Sequence, residues 1–149
     1  RDLIANPPQR DVIFTANSGH ELSHLGLDQM LHENPTLARD AFIWIHLGAN
    51  FAATGSQVRL QYSSQGIKNL TRRFLEQGRL VPGVETPIEN RPLGEARNIY
   101  DARGNFLSLL GNNPLFHHPD DRWPDAVDIA TTARWADAFS NIILNLSRA

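Results

Sequence analysis

His20-Glu21-Leu22-Ser23-His24 spells H-E-x-x-H, the spacing that puts two imidazoles on one face of a helix. Both rings can then reach one zinc ion while the intervening glutamate activates a water. The surroundings of the motif are unusual. Ser18-Gly19 places His20 at a strand-to-helix turn, and the extended motif's glycine and third histidine are replaced by Leu27 and Met30. A distant glutamate would serve as third ligand, but nothing singles out Glu76, Glu89 or Glu95.

A second polar cluster runs through Phe116-His117-His118-Pro119-Asp120-Asp121 and on to Pro124-Asp125-Ala126-Val127-Asp128. A histidine beyond a strand end, followed by acids and a helix start, can present an imidazole to a cleft with carboxylates behind it. The same residues can equally cap the last helix and satisfy loop backbone. A third cluster, His46 to Asn50, closes another apolar run.

The elements that must position these clusters follow from periodicity. Asp11 to Ala16 reads as a short buried strand, since its β-branched and aromatic residues are bounded by turn formers. A helix over 21–32 follows the Asn17-Ser18-Gly19 turn and stops at Asn34-Pro35. Further strands are expected near 42–47, 58–62 and 106–110, with a helix over 66–77. The proline- and glycine-rich stretch 81–94 reads as a long loop, a length usually tied to function, with a helical turn from Glu95 to Tyr100 after it. The final helix is placed at 124–147, with Trp135, Ala138, Phe139, Ile142, Ile143 and Leu146 as its buried stripe. Strands alternating with helices indicate an α/β layered sheet, whose ligand sites lie beyond the carboxyl ends of the strands. All three polar clusters fall at such ends.

Composition narrows the classes of partner. The chain has 149 residues, 41% hydrophobic and 20% charged, which suits one globular domain. A net charge of -2 without a basic stripe argues against a nucleic-acid partner, and no apolar run is long enough to span a membrane. There is no cysteine, hence no disulfide framework, which leaves the compartment open. Arg1 is not an initiator methionine and no signal-peptide core follows it, so the expectation is a piece whose missing part lies upstream.

Taken together the clusters resemble the co-catalytic zinc aminopeptidases, whose relatives include glutamate carboxypeptidase and glutaminyl cyclase. That family has a strand, then a glycine, two glutamates and a glycine-rich helix start, and Val12 to Gly26 is similar in pattern. Its next strand ends in Asn-Leu-Asp-Met, which Ile45 to Asn50 resembles, and its late Tyr-His-Thr stretch looks like Phe116 to Asp128. The resemblance implies an α/β layered sheet with helices on both faces, residues 1–149 being the C-terminal part of one aminopeptidase-like domain. It implies metal ligation by Glu21 and His117, with His20 standing where the family keeps its general-base glutamate. Imidazole titrates near neutrality, so His20 can act as a base. Gly48 occupies a ligand aspartate's position and has no side chain to offer. The two remaining ligands would lie upstream, in a missing N-terminal half, or a homo-oligomer partner would be needed. His24 or His46 would complete a rearranged site with one metal.

Two functions therefore compete. One is a divergent peptidase or amidase, acting on a peptide-like small substrate in a longer form of the protein. The other is a non-catalytic binding or scaffold module, a pseudoenzyme whose metal site has decayed. On either, zinc is expected to bind this chain weakly or not at all, because two ligands leave most of its dehydration cost unmatched. The H-E-x-x-H zincin is a third reading and predicts the opposite.

Overall fold

Four strands form the frame on which the polar clusters are hung: β1 (Trp44–Leu47), β2 (Arg59–Tyr62), β3 (Val84–Glu85) and β4 (Phe106–Leu110). The structure is a computed structural model and describes residues 2–148. Its helices are α1 (Asp2–Ala5), α2 (Leu25–Glu33), α3 (Leu37–Asp40), α4 (Gln65–Gln77), α5 (Ala96–Asp101) and α6 (Ile129–Leu146). The strand order is β1-β4-β2-β3. β1 runs parallel to β4, β4 antiparallel to β2, and β2 parallel to β3.

The period of two along the strands sorts their side chains onto two faces. On one face Leu60, Tyr62, Leu107 and Leu109 pack with Leu75 of α4 and with Trp135, Ala138, Phe139, Ile142 and Leu146 of α6. On the other, Phe106 packs with Leu27 of α2, Ala38 of α3, and Ala96 and Ile99 of α5. Helices thus cover both faces of a mixed sheet, an α/β arrangement. None of the described helices is long and apolar enough to cross a membrane.

Helix ends follow local chemistry. The Ser64 side chain accepts from the Ile67 N–H at the start of α4, and Asp128 accepts from the Thr131 N–H at the start of α6. The expected start of α6 at Pro124 is corrected to Ile129. Residues before it are held across the chain instead, the Thr54 N–H donating to the Ala126 carbonyl and the Asp128 N–H to the Ala52 carbonyl. The Trp123–Pro124 peptide in this segment is cis.

Two further expectations fail near the first motif. Residues 11–16 form no strand: Ile13 and Phe14 are 69% and 78% exposed and the segment joins no ladder. It lines a cavity of about 1100 Å³ opposite β1 without bonding to that strand's edge. The helix expected over 21–32 begins at Leu25, because Ser23 and His24 both adopt the left-handed backbone region, at φ 59° and 65°. A left-handed residue cannot continue a right-handed helix. His20–Leu22 form a separate 3-10 turn. The loop expected over 81–94 contains β3, whose Glu85 is the centre of a second ionic cluster.

Glu85 bonds Arg72 at 2.5 Å, Lys68 at 2.9 Å and the Tyr62 hydroxyl at 3.0 Å. Burial pushes its carboxyl up, but the bonds from Arg72, Lys68 and Tyr62 outweigh this and bring it down to about 2. A depressed carboxylate contributes stability above its unfolded value, and loses it as pH falls through the folded one. The advantage of wild type over Glu85→Gln in urea denaturation is therefore expected to be full at pH 7 and to shrink between about pH 4.5 and about pH 2. An advantage independent of pH would contradict the assignment. Ile142, 0% exposed between α6 and the sheet, sets the scale for the core. Ile142→Ala is expected to cost about 2–5 kcal/mol by the cavity it leaves, with an unchanged denaturant slope.

Candidate metal centre

Glu95 stands immediately before α5, after Gly94, whose φ of 61° turns the chain into that helix. Its carboxylate is shared. Oε1 lies 2.6 Å from His20 Nδ1, and Oε2 lies 3.1 Å from His46 Nε2. His24 joins from the N-terminal end of α2, its ring centroid 5.1 Å from that of His20. One ligand atom from each of His20, His24 and Glu95 falls within 4.8 Å of the others, so the three side chains could hold a metal ion.

The supporting contacts orient these groups. His24 is buried, and its Nδ1 lies 2.7 Å from Asn98 Oδ1. An amide oxygen only accepts, so Nδ1 carries a proton and Nε2 is the nitrogen left to face an ion. Asn98 in turn donates to Asp28, giving a carboxylate–amide–imidazole chain of the kind that fixes a ligand histidine. His46 Nδ1 lies 2.9 Å from the Ser108 hydroxyl. Burial pushes the His46 imidazole down and outweighs the Glu95 charge beside it, so the ring is held neutral. Burial pushes the Glu95 carboxyl up, but the His20 hydrogen bond and a backbone bond bring it below the usual range, so it stays ionised.

The two histidines of the H-E-x-x-H motif thus converge, but not by sharing a helix face. The 3-10 turn and the left-handed pair Ser23-His24 fold the segment back on itself, which does the work the spacing assigns to a helix. Glu95 is the residue that the sequence did not distinguish from Glu76 or Glu89. Its only local signals are the glycine before it and its place at the end of a long loop.

Glu21 and His117, which the resemblance pairs, lie 3.3 Å apart between Oε1 and Nε2, with side chains 73% and 60% exposed. His117 also stacks on Phe116, ring centroids 4.0 Å apart. Exposed to water as it is, this contact contributes little to stability. Gly48, on the family's ligand position, has little room for a side chain: a Cβ there would lie 2.2 Å from Leu110 Cδ2 and 3.1 Å from His46 Cε1. The family's donor set is therefore not reproduced at Gly48, whereas His20, His24 and Glu95 offer the nitrogen and oxygen donors zinc prefers. His20, His46, Glu95 and Phe116 all line the 1100 Å³ cavity. His118 turns to its own loop, Nδ1 accepting from the Asp120 N–H at 3.2 Å.

Gly94 is required twice over, by its positive φ and by the His46 ring, whose Cε1 would lie 2.9 Å from an added Cβ. Gly94→Ala is expected to cost about 1–3 kcal/mol and to shift the His46 ring proton resonances. An unshifted His46 would mean the ring does not press on Gly94. Comparison with family models, with curated proteins and with solved structures finds no match for this chain.

Proposed function

We propose that the chain carries the metal centre of a zinc-dependent hydrolase of peptide-like or amide bonds, with His20, His24 and Glu95 as ligands. The observation that carries this is the 4.8 Å convergence of those three donors beside a large cavity. Two imidazoles and a carboxylate make up a recognised catalytic zinc set, which leaves a fourth position open. An ion held there would supply a Lewis acid for a carbonyl and a water acidic near neutral pH. Glu21, the water-activating group of the H-E-x-x-H pattern, turns to the surface with His117 and is not among the residues lining the cavity. The resemblance to co-catalytic zinc aminopeptidases supports the reaction class, with ligands that differ from that family's own.

One observation favours the second reading, a non-catalytic module. His20 Nδ1 and Glu95 Oε1 are 2.6 Å apart, a direct hydrogen bond. Ligands about 2.0–2.2 Å from a tetrahedral zinc stand on the order of 3.4 Å apart, so the pair must separate if both atoms are to bind.

Zinc titration against a chromophoric chelator distinguishes the readings. The metal centre predicts one site per chain, and His24→Ala or Glu95→Gln should weaken it by more than about 100-fold, beyond the usual effect of an outer partner. His117→Ala should leave the affinity unchanged. Weak binding that depends on Glu21 and His117, and not on His24, would instead support a decayed co-catalytic site.

A further inference from the structure

Two of the most deeply buried polar side chains of the sheet, Ser108 and Gln61, are 0% and 1% exposed and sit on adjacent strands. The register places them in one row with His46: His46 of β1 pairs with Ser108 of β4, which pairs with Gln61 of β2. Side chains in register share a face, so the row crosses three strands beside the apolar packing of Phe106. Buried polar groups are costly without partners. Here the contacts of His46, Ser108 and the Gln61 oxygen lead toward Glu95, while the Gln61 amide nitrogen donates to Thr86.

The proton positions follow from charge. Glu95 Oε2 is a carboxylate oxygen, which accepts, so His46 Nε2, 3.1 Å away, carries the ring proton. Nδ1 is then an acceptor and needs a donor. Ser108 Oγ lies 2.9 Å away, nearer than its other neighbour, Gln61 Oε1, at 3.4 Å. Gln61 acts on the same residue by another route. Its Oε1 accepts from the Leu93 N–H at 3.1 Å, pinning the backbone two residues before Glu95.

We propose that the row His46–Ser108–Gln61 positions Glu95 to receive a cation, His46 acting as a positioning residue and not as a ligand. His46 and Ser108 fix one carboxylate oxygen, Gln61 fixes the chain that carries it, and the other oxygen is left facing His20, from which it must move apart for the two to share an ion. The inference rests on the reading of Glu95 as a metal ligand.

The test uses the full chain and two readings: zinc affinity by chelator competition, and the imidazole tautomer from ¹⁵N shifts of the metal-free protein. Wild-type His46 is expected as the Nε2–H tautomer. Ser108→Ala should weaken that preference, which Glu95 still supports, and lower zinc affinity roughly 10–100-fold, while Ser108→Thr, which keeps the hydroxyl, should restore both. Gln61→Met should lower affinity with the tautomer unchanged, and it carries the affinity reading if Ser108→Ala does not fold. A folded Ser108→Ala or Gln61→Met with wild-type affinity would overturn the proposal, because a merely structural row would alter melting temperature alone. A wild-type His46 protonated at Nδ1 would overturn it as well. Should wild type take up no zinc, the metal-centre reading falls and the row's role falls with it, whereas zinc uptake that these variants leave unchanged overturns the row alone.

Discussion

One carboxylate accepting from two imidazoles is the constraint around which the described part of the chain is arranged. For Glu95 to meet His20 and His46 together, the turn at residues 20–24, the end of β1 and the start of α5 must come within a few ångströms. None of these elements is near another in sequence. The approach is possible because β1 and β4 are parallel neighbours, and because α5 packs Ala96 and Ile99 onto Phe106 at the base of the same face. Apolar burial thus brings the polar groups together. The polar groups in turn fix how the loops close, since the ionised Glu95 cannot be left near an apolar layer without donors.

Much of the frame could be read in the residues, and the reason is periodicity. β4, β2 and the stripe of α6 are regular over enough residues for the two-residue and 3.6-residue repeats to show. Residues 11–16 carry an equally good strand pattern and form none, because a strand needs a partner and pattern alone does not supply one. Pro124 is a good first helical residue in isolation, but α6 starts later because cross-chain bonds at Ala52 and Thr54 claim the backbone around it.

The site was legible by halves. His20 and His24 stand out through their spacing, yet the geometry that unites them is a pair of left-handed residues that no periodicity announces. His46 was visible as a polar residue closing an apolar run. Glu95 was not, since its partners are 49 and 75 positions away. Ser108 looks like a small residue in a hydrophobic strand until its register with His46 is known. The contact of Glu21 with His117 is expected from the resemblance, but it lies on the surface and, among the described residues, belongs to no cluster of three metal donors.

The outer side of β1 has a consequence for how the molecule behaves in company. Among the described residues no strand pairs with that edge, and its amide and carbonyl groups lie along a strand without lysine or proline, the residues that usually blunt such edges. Leu47 at its end is 55% exposed. Such an edge is a template for another extended chain, whatever that chain's sequence, since the backbone alone provides the match. Crowded solutions would therefore drive molecules together through this strand while their helices and core remain intact, so turbidity would precede any loss of secondary structure. A single lysine facing outward there, at a position other than His46, would keep the molecules apart.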